Sequence, residues 1–496
     1  MKSKTTLLLS VIGLALTTGV LTGCNTKKTK FEISISARHM TSEISMLEIW
    51  KAEYEKLHPN VNIKISDWGD SQGTSESYIS KNALNRDYLT NIIYTTDDST
   101  ANLAQKKNFV DLRKYYEADP ETDYSKYYST MLDLTSFYGE FRPTTTYNGS
   151  YECEKSDDAQ YGVYFAPREY NMPGLMCNVT LFKNYIATEE EKANWNKDSL
   201  KNIWLRIGES DTWNWSTFIK GLYKISDICE ENQELNGRND LGFRACEMNH
   251  TWEPVYTSIM KELGGNGIFK TDPYTFEVVQ NLDSEENKAA YQTIVDTFGK
   301  NSVHKYSVDT DYGNNNFSLR TIFSSIVSYP EIGNFYDSFK RVGYEIGTIN
   351  LPCEYVAAGC GGYGILVDKA DKVQKLSSGE SAKTVDLCWD FLKYIISKDG
   401  QNIAGKEGYI QPVLKELMDE GDWVNAYDGK IDHSAFATAK ELKLDTYCFA
   451  DPKKRNKLRE AVGSIFFRDL FDPKTESYVG ILGNCINEVN KILASK

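Results

Sequence analysis

The stretch from Phe31 to Ile65 constrains the fold most. Phe31-Glu-Ile-Ser-Ile-Ser-Ala37 alternates apolar and polar residues, the period of a half-buried strand. Ile44, Leu47, Trp50, Tyr54 and Leu57 then share one face of a helix that Thr41 or Ser42 can cap. His58-Pro59 stops that helix, and Val61, Ile63 and Ile65 alternate again. A strand, a helix and a second strand in this order pair in parallel through a right-handed crossover. A helical stretch from Ser75 to Leu89 leads to a third strand over Asn91–Thr96. The chain therefore opens as an α/β sheet, and in such sheets ligands bind beyond the carboxyl ends of the strands. Arg38, His39, Trp68, Asp97 and Asp98 stand at those ends.

What precedes the sheet is of a different kind. Lys2 and Lys4 are followed by the uncharged run Leu7–Leu21 and then by Thr22-Gly23-Cys24. A basic start, a short apolar run and a small-residue exit describe an export signal, and the run is shorter than the roughly 20 residues a bilayer span needs. Leu21-Thr-Gly-Cys24 resembles the lipobox of bacterial lipoproteins. That resemblance implies cleavage before Cys24 and lipid on its sulfur, with residues 1–23 as signal peptide and 24–30 as tether. Asn25–Lys30 reaches at most ~20 Å, so the body would sit at the outer face of a membrane, close to the lipid.

Charge and cysteine usage exclude some classes. Formal net charge is −14, and −16 once Lys2 and Lys4 leave with the signal. Phosphate binding needs clustered cations, so no nucleic-acid partner is expected. Nine cysteines remain beyond Cys24, without a Cys-x-x-Cys pair. An odd count reads as mostly buried free thiols rather than a closed disulfide framework, one or two bridges staying open. Neither cofactor nor metal is called for.

Further along, residues 119–158 are acidic and Tyr-rich, an elaborated surface segment. Tyr161–Ala166 and Leu175–Val179 read as extended runs joined by Pro167–Pro173, with Arg168 and Glu169 as a solvated pair at that joint. Helices are expected over Trp215–Ile225 and Thr384–Ser397, and strands over Gly242–Ala245, Ile322–Ser328, Tyr344–Leu351 and Gly364–Val367. Tyr478, Ile481, Leu482, Cys485, Ile486, Val489, Ile492 and Leu493 form the cleanest helical stripe, a core face.

Several segments together are similar to the extracellular solute-binding proteins of ABC importers, in the branch that takes oligosaccharides. They are Trp50–Ile65, Met176–Phe182, Trp215–Phe218, Gly361–Val367, Phe391–Gln401 and Gly408–Pro412, in the family's order. The resemblance implies a two-lobed, periplasmic-binding-protein-like (type II) α/β fold with a cleft between the lobes. Lobe one would hold residues 31–165 and 312–364, lobe two 166–311 and 365–496. It also implies Trp252 as a sugar-stacking ring, and Tyr329 in the place where the family often carries Trp. Gly361, Gly362 and Tyr363 would line the cleft at the hinge, and Asp97 would bond a sugar hydroxyl. Arg38 or His39 would be the first-loop contact. The implied partners are a carbohydrate and the permease subunits of an ABC transporter, met by a lipid-anchored monomer outside the cell membrane.

The rival class is an exported carbohydrate-active hydrolase; a third is a glycan-capturing surface lipoprotein without a transporter. Gly-x-Ser-x-Gly and His-Glu-x-x-His are both missing. Gly400–Lys406 mimics a P-loop, but Glu407 stands where the magnesium-binding Ser or Thr belongs. Facing carboxylates of a glycosidase are not legible among seventy acids.

Overall fold

The computed structural model describes residues 28–70, 73–96, 99–100, 103–104, 106–123, 126–127, 137–138, 141–144, 152–155, 160–161, 163–232, 235, 243–247, 253–271, 278–300, 302, 308–309, 321–357, 359–427, 431–436, 440–442 and 452–495. In chain order these form β1 (Phe31–Ala37), α1 (Thr41–Leu57), β2 (Val61–Asp67), α2 (Ser75–Lys81), β3 (Ile92–Thr96), β4 (Ala166–Asn171) and β5 (Pro173–Asn178). There follow α3 (Ser199–Ile207), α4 (Trp215–Glu231), β6 (Arg244–Glu247), α5 (Glu253–Glu262), α6 (Glu285–Phe298), β7 (Val308–Asp309) and β8 (Ile322–Ser328). The rest is α7 (Ile332–Lys340), β9 (Ile346–Ile349), β10 (Gly359–Ile365), α8 (Thr384–Ile395), α9 (Lys398–Lys406) and α10 (Tyr478–Ala494), with shorter elements between.

Two five-stranded sheets organise these elements. The first runs β2-β1-β3-β10-β4 and the second β7-β6-β8-β5-β9. In each, one strand opposes the others: β10 is antiparallel to β3 and β4, and β5 is antiparallel to β8 and β9. The reason is the crossing. The chain leaves β4 and enters β5 through Met172 alone. A strand entered from the crossing starts where its neighbours end, and so runs antiparallel to them: Pro173, which opens β5, pairs with Ser328, which ends β8. β10 likewise begins at Gly359, opposite Asn171 at the end of β4.

Side-chain alternation places a layer on each face of the first sheet. Ile92 and Tyr94 join the main core, while Ile93 joins Ile79, Leu89, Phe109 and Leu366 on the other side. On the main side α1, α8 and α9 pack together: Trp50 Nε1 donates to the Gly400 carbonyl at 2.6 Å and Tyr54 Oη to Asp390 at 2.6 Å. In α10, Leu482, Cys485, Val489 and Ile492 are buried, the core stripe expected. Six cysteines (177, 229, 246, 353, 388 and 485) are buried free thiols among the described residues, and burial pushes the Cys177 thiol up to about 12.

Three expectations are corrected. Pro167–Pro173, read as a joint, is strand β4 plus a one-residue link. The proline signal misled because β4 is an edge strand and Pro173 the first residue of β5, the two places where a sheet tolerates a missing N–H. Arg168 and Glu169 are each only 3% exposed rather than solvated. The division into lobes also shifts: within 312–364, β8 and β9 pair in the second sheet, and within 365–496, α8 and α9 pack on α1 of the first. Periodicity locates a strand but not its partner.

Candidate functional site

Parallel pairing of β1 with β2 and β3 delivers three carboxyl ends to one place. Arg38 and His39 leave β1 there and Trp68 leaves β2. Gly361, paired with Thr96, arrives on β10. The structure thus brings together Arg38, His39, Trp68 and Gly361. Asp97, Asp98 and Trp252 lie outside the described residues, as does Cys24.

Beneath the strand ends lies a buried charged cluster. Arg38 Nε donates to Glu43 Oε1 at 3.0 Å and its Nη2 to the Tyr94 hydroxyl at 3.3 Å. Glu43, in the first turn of α1, is 4% exposed, and the helix N-terminus favours its charge. Arg168 Nη2 is paired with Glu169, and its Nη1 lies 3.7 Å from Glu43 Oε1. Both guanidinium groups stand over the Tyr94 ring, at 4.7 Å for Arg38 and 4.5 Å for Arg168. Two cations and two anions balance. Burial opposes the Arg168 charge, but Glu169 and its other neighbours hold its pKa well above the ordinary value. Burial pushes the Tyr94 phenol up. Glu43 Oε2 and Arg168 Nε have no hydrogen-bond partner among the described residues.

Gly361 is required by this cluster. A Cβ there would stand 2.6 Å from the Tyr94 hydroxyl and 2.7 Å from Glu169 Oε1. At Gly362 it would stand 2.2 Å from the Ala166 carbonyl. The register shift between the two glycines lets β10 pass this crowded point.

Above the cluster the surface opens. His39 Nδ1 is 2.8 Å from Asp67 Oδ2, and Gly69 N–H donates to Asp67 Oδ1 at 2.6 Å. The His39 contact, then the Gly69 amide, hold the Asp67 carboxyl below its ordinary range. His39 is 67% exposed at its side chain, so this pair can exchange partners with a solute. Trp68 is half-buried. Its Nε1 donates to Ser36 Oγ at 3.0 Å, and its ring stacks on Tyr78 at 5.2 Å and 15°. The indole is thereby fixed before any ligand arrives.

Two expected residues are corrected. Tyr329 is fully buried, with Phe436 at 5.3 Å, Trp423 at 5.5 Å and His433 at 5.6 Å, so no ring face is open. Tyr363 is fully buried against Tyr94. Conversely, Glu43, Tyr94 and Asp67 contact Arg38 and His39 here, and strand and helix periodicity does not single them out. Glu43 carried one signal, an acid in the first turn after a strand-end Arg.

Two glutamines bolt the crossing. Gln411 Oε1 accepts from Met172 N–H at 3.1 Å, its carbonyl accepts from Tyr170 N–H at 3.0 Å and its Nε2 donates to the Phe436 carbonyl at 2.9 Å. Gln401 Nε2 donates to the Arg168 carbonyl at 3.0 Å, and its Oε1 accepts from Val413 N–H at 2.9 Å.

No known family's sequence profile matches the chain, and no curated protein matches it in sequence. Solved structures do match. The ABC substrate-binding protein Lmo0181 from Listeria monocytogenes, in complex with cycloalternan, is 14% identical with a TM-score of 0.58 over 94% of this chain and 100% of its own. The sugar-binding protein MalE from Xanthomonas citri is 12% identical with a TM-score of 0.59, over 93% and 97%. UgpB from Mycobacterium tuberculosis, in complex with glycerophosphocholine, is 12% identical with a TM-score of 0.58, over 93% and 98%. The chain has the two-lobed, mixed α/β fold of type II periplasmic binding proteins, the fold it shares with these solute receptors.

Proposed function

We propose that the chain is a non-enzymatic receptor that captures a neutral carbohydrate, an oligosaccharide, by closure of its two lobes and delivers it to an ABC permease. The observation that carries this reading is the constellation of His39, Asp67 and Trp68 above a charge-balanced cluster. A carboxylate and an imidazole serve sugar hydroxyls as acceptor and donor. A fixed indole serves the apolar face of a sugar ring. Balanced charge beneath suits an uncharged guest. Lipid on Cys24 would keep the receptor at the outer membrane face, and the one-residue crossing at Met172, held by Gln401 and Gln411, would serve as the hinge.

The test is a titration of the protein with linear and cyclic oligosaccharides, followed by Trp fluorescence, with glycerophosphocholine in parallel. A saturable change at micromolar saccharide, worth about 8 kcal/mol, with no product on chromatography, is the expected result. Hydrolysed saccharide would turn the reading to the enzyme class. Saturation by glycerophosphocholine alone would turn it to another solute.

A further inference from the structure

Five of the eight large apolar side chains exposed among the described residues gather at the end of the first sheet opposite His39 and Trp68. They are Leu57, Leu84, Tyr88, Val367 and Val373. Leu57 closes α1 just before β2, Leu84 and Tyr88 precede β3, and Val367 and Val373 follow β10. Seven-residue strands put this end roughly 20 Å from the strand-end loops. Hydrogen bonds tie these loops into one surface. Arg86 Nη2 meets Asp368 Oδ2 at 2.8 Å and Asn108 Oδ1 at 3.0 Å, and Lys369 Nζ donates to the Asp87 carbonyl at 2.6 Å. Gln374 Nε2 donates to the Glu32 carbonyl at 2.7 Å, and Ser377 N–H to the Lys28 carbonyl at 2.9 Å.

Charge separates this surface from the rest of the chain. Its segments 28–32, 84–88, 106–108 and 367–380 carry eight Lys or Arg against five Asp or Glu, on a chain whose formal charge is −14. The first described residue, Lys28, also lies here, only four residues beyond Cys24. Four residues reach about 14 Å. Isolated exposed leucines are ordinary on a protein surface. Their gathering on a locally basic face at the root of the tether is what needs a partner.

We infer that this end of the first sheet is a membrane-contact face. It rests in the headgroup layer of an anionic bilayer, with apolar side chains dipping in and lysines on the lipid charges. The strand-end loops then point away from the membrane. The inference rests on the reading of Cys24 as lipid-bearing, because so small an apolar set gives only weak adhesion by itself. It also implies that the body must roll about its short tether to turn its cleft toward a permease.

The test reconstitutes the acylated full chain in vesicles of equal phosphatidylglycerol and phosphatidylcholine, and in detergent. Backbone hydrogen exchange is compared segment by segment. Exchange in 84–91, 106–108 and 367–377 is expected to slow at least threefold on the vesicles, while 38–40 and 67–70 stay unchanged. The variant Lys106→Glu/Lys107→Glu/Lys372→Glu, altered only at exposed positions, should lose that protection and remain anchored. Equal exchange in vesicles and detergent, or protection at the strand-end loops, overturns the inference. Mass spectrometry of the N-terminal peptide reports the lipid separately. A bare Cys24 overturns the inference together with the lipid reading it rests on, while the saccharide titration still tests the receptor reading separately.

Discussion

The carboxyl ends of the two sheets are finished differently. The first ends on charge: Arg38, Glu43, Arg168 and Glu169 neutralise one another under an exposed His39–Asp67 pair. The second, where β8 ends, is closed by rings, with Tyr329 sealed among Trp423, His433 and Phe436. The difference follows from what covers each end. Three parallel strands release their loops together at the first sheet. At the second, Trp423, His433 and Phe436 pack over Tyr329, the residue that follows β8. Substitutions should therefore separate. Those at the open surface of the first sheet change binding, and those in the sealed ends change stability.

The largest effect is expected from Arg168→Met. It leaves Glu169 buried without its cation and should cost about 4 kcal/mol in urea unfolding. A midpoint shift below 1 kcal/mol would mean that the cluster is wetter than described. Tyr329→Ala should cost a similar amount, about 4 kcal/mol, with saccharide affinity unchanged. Tyr329→Phe should stay within about 1 kcal/mol, since the phenol oxygen has no hydrogen-bond partner among the described residues. A large affinity loss in either variant would return Tyr329 to the binding site.

Next comes a pH effect. Burial pushes the His433 imidazole from its ordinary 6.5 down to about 4. Between those values the unfolded chain binds the proton and the folded chain does not. Stability from this group is therefore complete above pH 6.5, falls as pH drops toward 4, and loses about 3 kcal/mol in all. His433→Phe should flatten the stability curve in that window by comparison with the parent. Equal slopes would place His433 in contact with water. The smallest expected effect is the one that tests function. Trp68→Ala should weaken saccharide binding about tenfold, ~1.4 kcal/mol, with a lesser change in unfolding. Unchanged affinity would move the ligand away from the first sheet.

Much of the site was legible in the sequence because strand ends are. Alternation over Phe31–Ala37 and Val61–Ile65 fixed where β1 and β2 stop, and hence that Arg38, His39 and Trp68 emerge together. Glu43 and Tyr94 were not legible as site residues, because their pairing with Arg168 spans more than seventy positions. Tyr329 misled for a related reason. A ring at a strand end reads the same whether solvent or a distant segment covers it, and what covers this one is about a hundred residues downstream.

By itself the sequence determined the parallel opening of the first sheet and the core face of α10, since each depends on residues close together in the chain. Tertiary structure alone decided which sheet β8, β9 and β10 join, that Arg168 and Glu169 are buried, and that Tyr329 is sealed. Those outcomes depend on which distant surfaces meet, and local periodicity carries no record of that.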